Sequence, residues 1–198
     1  MNTERDQISE DILKSIVFGL TGKNASGKGT VAEILKKKNF TYHSLSDSLR
    51  DELKTLKKEE TRENLIDIGN KLREKGGPGV LADKLIPKLD SENNHIVDSI
   101  RNPLEVISLR KETLLRRFFL ISIDADSRLR YDRLCSRGRT GDTDSWQKFV
   151  EQEKKEENND DPNKQQLSRT IEKAKYNIDN SGTLEELEVQ VNKIISSL

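Results

Sequence analysis

Apolar residues along this chain gather in short runs that alternate between two periods. Five runs are compact: Ile16 to Leu20, Phe40 to Leu45, Ile96 and Val97 ending at Asp98, Phe118 to Ile123, and Tyr176 to Ile178. Runs of that length, bounded by polar residues, predict buried strands. Between them the spacing is helical. Val31, Ile34 and Leu35 give one apolar face to a first helix, and Leu184, Leu187, Val191, Ile194 and Leu198 give another to the last. Thr183 followed by Glu186 is a capping-box start for that last helix. The order β, α, β, several α, β, α, β, several α, β, α predicts an α/β fold of three layers, a five-stranded parallel sheet with helices on both faces.

Two stretches depart from the alternation. Residues from about 47 to 89 are almost all helical, interrupted at Gly76-Gly77-Pro78-Gly79, and residues from about 137 to 161 form a second departure. Both read as insertions above the sheet, the first a helical insertion on the acceptor side and the second a short lid. The polar run Glu151 to Asp161 reads as a solvated helix followed by a loop, with no chemistry assigned. No internal repeat or linker forces a cut, so residues 1–198 read as one domain with an N-terminal extension over residues 1–14.

Composition narrows the function. In 198 residues, 35 Lys and Arg balance 35 Asp and Glu, so no global charge draws the protein to nucleic acid or to a membrane surface. No apolar block has the length of a signal peptide or a membrane span. The single Cys135 can form neither an internal disulfide nor a cysteine zinc site, which fits a reducing compartment. A cytoplasmic location follows as the expectation.

The strongest chemical signal is Gly22-Lys23-Asn24-Ala25-Ser26-Gly27-Lys28-Gly29-Thr30, set between the first strand run and the first helical run. In that context a Gly-rich loop turns successive backbone N–H groups inward at the positive end of a helix dipole, so main chain can hold a polyphosphate. Gly22, Asn24, Ala25, Ser26, Gly27, Gly29 and Thr30 are expected to form this cradle. Lys28 is expected to bring a mobile positive charge to the β and γ phosphates. Gly29 stands where the general pattern has a magnesium-binding hydroxyl, and Thr30 comes one place later. Gly27-Lys28-Gly29-Thr30 resembles the loop of adenylate kinase and related nucleoside monophosphate kinases, which implies a metal held mainly by phosphates and water. Switch GTPases carry Asn-Lys-x-Asp for guanine, and the pairs beginning at Asn70, Asn163 and Asn192 all lack Asp in the fourth place.

Further residues suggest a second ligand. Asp47 and Arg50 lie one helical turn apart after the second strand run, where ligands gather in such folds. A guanidinium there suits an anionic substrate. Ser46-Asp47-Ser48-Leu49-Arg50 is similar to the Gly-Asp-x-Leu-Arg segment with which adenylate kinases grip the acceptor phosphate. Asp98 closes the third run as a Walker-B carboxylate that orients magnesium or its water shell, and Arg101 follows in the loop. Asp98 to Glu105 is similar to the Asp-x-Arg-x-x-Asn-Glu region of phage-type deoxynucleoside monophosphate kinases. Arg128, Arg130, Arg133, Arg137 and Arg139 make a basic helix and loop. Arg137-Gly138-Arg139 resembles the lid arginines of small-molecule kinases, so Arg137 and Arg139 are the two expected to neutralise the transferred group. Asn177 to Thr183 resembles the dephospho-coenzyme A kinase segment that closes the nucleotide pocket near adenine, which implies nucleotide contacts for Asn180 and Gly182. His43, His95, Trp146 and Phe149 read as structural residues.

From about Ser15 to Leu198 the chain resembles the phosphate-loop kinase family that contains dephospho-coenzyme A kinases and nucleoside monophosphate kinases. The likeness is strongest to the kinase-like domain found ahead of some deoxycytidylate deaminases, and it includes Gly69 to Arg73 and Gly77-Pro78-Gly79. It implies ATP-dependent transfer of a γ-phosphoryl group to a nucleoside or deoxynucleoside monophosphate, with ATP and Mg²⁺ as cofactors. Lys28, Asp47, Arg101, Arg137 and Arg139 would act in catalysis, Asp47, Arg50 and Arg101 on the acceptor, and Asp98 on the metal. Two alternatives stay open: phosphorylation of a hydroxyl as in dephospho-coenzyme A, with Asp47 receiving the proton, and a non-catalytic ATP-binding sensor. The sequence also leaves a homodimer open.

Overall fold

Successive side chains on the central strands point to opposite faces, and here both faces are apolar. Val17 and Phe18, Ile96 and Val97, and Leu120 and Ile121 each divide between two separate cores. A sheet buried on both sides must be covered by helices twice, which is the three-layer arrangement the sequence predicts. The computed structural model describes residues 15–112, 117–138, 142–143, 145–157 and 159–198. The expectations for residues 1–14 and for Arg139 lie outside the described residues.

The elements follow in the order β1 (Ile16–Thr21), α1 (Lys28–Lys36), β2 (Phe40–Ser44), α2 (Ser46–Thr55), α3 (Arg62–Gly76), α4 (Val80–Leu85) and a 3-10 turn (Ile86–Lys88). Then come β3 (Asn94–Asp98), α5 (Pro103–Glu112), β4 (Arg117–Asp124), α6 (Ser127–Arg137), α7 (Trp146–Glu157), α8 (Leu167–Ile171), β5 (Tyr176–Asp179) and α9 (Leu184–Ser196). The five strands lie in the order β2-β3-β1-β4-β5 and every neighbouring pair is parallel. Phe18 at the centre pairs in register with Ile96 on one side and Phe119 on the other.

One core joins β1, β3 and β4 to α1 and α9 through Val31, Ile34, Leu35, Leu187 and Val191. The other joins the opposite face to α2, α3, α4 and α5 through Leu49, Leu53, Ile68, Leu81 and Val106. A third, smaller cluster of Tyr131, Leu134 and Phe149 ties α7 to α6, with Trp146 stacked on Phe149 at 5.5 Å. Because β1 has β3 on one side and β4 on the other, the loops after β1 and β3 part above the carboxyl ends of the strands. That is the switch point where open parallel sheets hold ligands.

The expectation for the polar run changes, and the basic helix is less open to water than its charges suggest. Arg130 is not solvated: it is only 2% exposed, donates to the Ala125 carbonyl at 2.9 Å and pairs with Glu153 of α7. The polar run is likewise not a plain solvated helix, because α7 turns Glu153 and Glu156 inward while Lys148, Glu151, Lys154 and Lys155 stay in water.

The capping box forms as expected. Thr183 Oγ1 accepts from the Glu186 amide at 3.2 Å, and the Glu186 carboxylate accepts from the Thr183 amide at 2.8 Å. Thr183→Ala is expected to lower stability by about 1 kcal/mol, read as a shift in urea midpoint at unchanged slope.

Candidate functional site

The loop after β1 is held open by backbone that only certain residues tolerate. Gly22 has φ +140° and Gly27 has φ +99°, both outside the range of ordinary L residues. A Cβ on Gly22 would strike the Ile123 carbonyl, and one on Gly27 would strike the Asn180 side-chain amide. Asn180 fills that space and donates its Nδ2 to the Ser26 carbonyl at 2.9 Å. Its own amide donates to the Asp124 carbonyl at 2.8 Å, fastening the loop to the end of β4. The helix α1 then begins at Lys28 with no side chain capping it and no acid in its first turn, so the positive end of its dipole faces the loop.

Lys28 lies inside this loop and donates Nζ to the carbonyls of Gly22 at 2.8 Å and Lys23 at 2.7 Å. Burial pushes its ammonium down to about 8, Arg101 and Arg137 add to the shift, and Asp98 and Glu156 oppose it. Across the loop, Arg137 forks onto Asp142 at 2.7 and 2.9 Å and donates to Asn24 Oδ1 at 3.1 Å. Lys23 pairs with Glu157 at the end of α7.

The loop forms one wall of a cleft of about 930 Å³, at the upper end of the range for small-molecule sites. Asn24 to Thr30 line it, as do Arg50, Asp98, Arg101 and Arg137. Asp98 is 8% exposed at the end of β3 and is oriented by the Tyr42 hydroxyl at 3.0 Å and the Ser99 amide at 2.5 Å. Burial and the Asp98 charge push the Tyr42 phenol up, so it stays a donor. Two acceptor contacts leave lone pairs on Asp98 for a cation or its water shell, so the residue fits the metal role. Gly29 is exposed in the position of the usual hydroxyl ligand, and no Cβ there would meet a neighbour. Among the described residues no group of three or more His, Cys, Asp or Glu gathers as a metal cage.

Elsewhere around the cleft the structure adds residues that sequence reasoning missed. Arg62, at the start of α3, pairs with Glu156 at 2.7 Å, and Arg101 pairs with the other oxygen of the same carboxylate at 2.9 Å. Glu156 is 4% exposed. Burial alone would raise its carboxyl, but Arg101 and Arg62 outweigh that and hold it below its usual range. Arg50 is gripped by Asp47 at 2.9 Å and by Glu60 at 2.7 Å. Arg133 also borders the cleft and donates to the Asn180 carbonyl at 2.9 Å.

Several expected contacts fall elsewhere. Asp47 is not among the cleft residues: its side chain is half exposed and is committed to Arg50. Gly22, Asn180 and Gly182 lie behind the loop or beside it, outside the cleft lining. Gly182 leaves room for the Glu186 carboxylate of the capping box, where a Cβ would collide with it. His43 and His95 sit on neighbouring strands with Nε2 and Nδ1 3.0 Å apart. His95 also reaches the Asp90 carbonyl at 2.9 Å, which supports the structural reading of the pair.

Glu156→Ala would strand two guanidiniums that are 14% and 20% exposed. Losing one partner of a buried ion pair costs about 3 kcal/mol or more, and water at the cleft edge brings the expected loss to about 2 kcal/mol, measured by urea denaturation without ligand.

The AAA domain family matches residues 19–161. A UPF0200 protein of Pyrococcus furiosus is 32% identical over 187 residues, covering 92% of this chain and 97% of that protein. A UPF0200 protein of Hyperthermus butylicus is 28% identical over 185 residues, covering 92% and 95%. Among solved structures, a gluconokinase from Sinorhizobium meliloti superposes with TM-score 0.54 at 15% identity, covering 92% of this chain and 91% of that one. A shikimate kinase from Aquifex aeolicus gives TM-score 0.52 at 15% identity, covering 91% and 94%. At that identity the structural likeness speaks for the fold alone. With an open phosphate loop, a lysine inside it and a family match over most of its length, the chain belongs to the AAA domain family, among the UPF0200 proteins, and has a P-loop kinase-like fold.

Proposed function

We propose that this protein is an ATP-dependent small-molecule kinase that moves the γ-phosphoryl group of ATP onto a nucleoside or deoxynucleoside monophosphate. The observation that carries this reading is a single cleft with cations on both sides. The loop amides and Lys28 form one bank, and Arg50, Arg62 and Arg101 form the other. Among the described residues lining the cleft, seven lysines and arginines face four carboxylates. That excess suits two anionic ligands held close together.

In this reading the ATP tail displaces the Gly22 and Lys23 carbonyls from the Lys28 ammonium. The acceptor phosphate displaces Glu156 from Arg62 and Arg101. An acceptor phosphate oxygen forms a bond to the γ-phosphorus as the bond to the β–γ bridging oxygen breaks, and ADP leaves with that oxygen. A dianionic phosphate needs no base, so the burden falls on positioning and on neutralising charge spread over the equatorial oxygens. Lys28 and Arg137 flank the loop end of that path, and Arg101 flanks the other. Asp98 would hold Mg²⁺ or its waters, and the ion would supply charge neutralisation on the phosphates. A hydroxyl acceptor would need a proton acceptor, and the exposed, arginine-bound Asp47 is poorly placed for that role.

The deciding experiment measures ADP release with ATP and Mg²⁺ over a panel of nucleoside monophosphates and dephospho-coenzyme A. At least one monophosphate is expected to drive ADP release, and a protein that binds ATP with no acceptor-dependent ADP would be a sensor instead. Lys28→Ala is expected to cut turnover about a hundredfold or more. The depressed lysine also sets a pH dependence. Below about 8 the ammonium is already formed in the free protein, and above it ATP must bind with uptake of a proton. Affinity for ATP is therefore expected to fall as pH rises from about 8, with proton uptake visible by calorimetry in buffers of different ionisation heat.

A further inference from the structure

The acceptor side of the cleft contains a guanidinium that the phosphate-transfer scheme does not use. Arg73, in the last turns of α3, is 2% exposed and still borders the cleft. Its Nε and Nη2 both donate to Glu105 Oε1, at 3.2 and 2.8 Å. Glu105 is fully buried and also accepts from the backbone amides of Arg101 at 2.8 Å and Asn102 at 3.0 Å through its other oxygen. Nη1 of Arg73 is out of reach of water and has no hydrogen-bond partner.

An unpaired buried N–H costs more than a hydrogen bond gains, so a native donor left this way calls for an occupant. The surroundings define that occupant. Gly69, one helical turn before Arg73, has no side chain over Nη1, and the Leu49 methyls of α2 lie on the far side of the same gap. Leu65, Ile66 and Leu81 complete an apolar wall along this part of the cleft. Glu105 already balances the guanidinium charge, so what Arg73 offers is a directed donor rather than a free cation. The cations suited to a phosphate, Arg50 and Arg101, are separate cleft residues with their own carboxylates.

We infer that Arg73 is a specificity-determining residue of the acceptor site, donating Nη1 to a ring carbonyl of a nucleobase seated against the apolar wall, after the Leu49 side chain gives way. A base with a ring carbonyl, such as guanine, uracil or thymine, offers that acceptor, whereas adenine has no carbonyl and carries an amino donor on its edge. This inference rests on the nucleoside monophosphate reading above.

The test is calorimetric binding of GMP, UMP, dTMP and AMP to the full chain, with ATP titrated separately as a control. The carbonyl-bearing monophosphates are expected to bind about tenfold more tightly than AMP, the factor set by one well-made buried hydrogen bond. Arg73→Lys keeps a positive charge for Glu105 but has one nitrogen in place of three and so loses the Nη1 donor. Gly69→Ala places a methyl 3.2 Å from Nη1 and 3.6 Å from a Leu49 methyl, covering the donor at a helical position where alanine is favoured. Each variant is expected to erase the preference while leaving ATP affinity unchanged, and Gly69→Ala guards against loss of fold in Arg73→Lys. Equal or tighter binding of AMP, or a preference that survives both variants, overturns the inference and leaves the kinase reading standing. If ATP binds and no monophosphate does, both fall together.

Discussion

A loop can turn its amides toward a polyphosphate only if something holds its backbone away from the collapsed conformation it would otherwise take. Here that constraint is met by Asn180, which occupies the space next to Gly27 and ties the Ser26 carbonyl to the end of β4. The left-handed backbone at Gly27, which glycine adopts freely, is packed against a side chain from the far end of the chain. Strand β1 enters the loop under a second constraint, the carbonyl of Ile123 pressed against Gly22. The direction of α1, the position of Lys28 and the floor of the cleft all depend on these two contacts.

Charge pairing organises the rest. Four arginines bordering the cleft are committed to carboxylates: Arg50 to Asp47 and Glu60, Arg62 and Arg101 to Glu156, Arg73 to Glu105. Pairs of this kind do little for stability once desolvation is counted, but they fix where each guanidinium points. Glu156 is itself a compact anion gripped from two elements at once. The helix that carries it is anchored away from the cleft by Phe149 and by the Arg130–Glu153 pair, so the carboxylate arrives at a defined place.

What the sequence revealed is what local physics controls. The apolar runs set the strands to within two residues, Thr183 and Glu186 set the start of α9, and the phosphate loop was legible from its glycines and its flanks. The residues that escaped sequence reasoning owe their environment to distant chain. Glu156 sits in a run of charges with no apolar period, and it becomes buried only because Arg62, 94 residues earlier, and Arg101, 55 residues earlier, meet it. Asn180 is expected from the resemblance to touch the nucleotide, and instead it supports the loop from behind because Ser26, 154 positions away, is brought against it. Arg130 looks solvated on its own helix and is covered by a neighbour from α7. Asp47 fails in the opposite sense, since local spacing puts it near the cleft and its own neighbour Arg50 draws it aside.

Glu105 has a mechanical consequence. One of its oxygens holds Arg73 on α3, and the other holds the amides of residues 101 and 102, just past the end of β3. A carboxylate is too short to stretch, so α3 cannot swing outward without either dragging the Arg101 loop along or breaking a largely buried set of charge-assisted bonds. Any outward displacement of α3 would thereby be geared to the loop that carries Arg101.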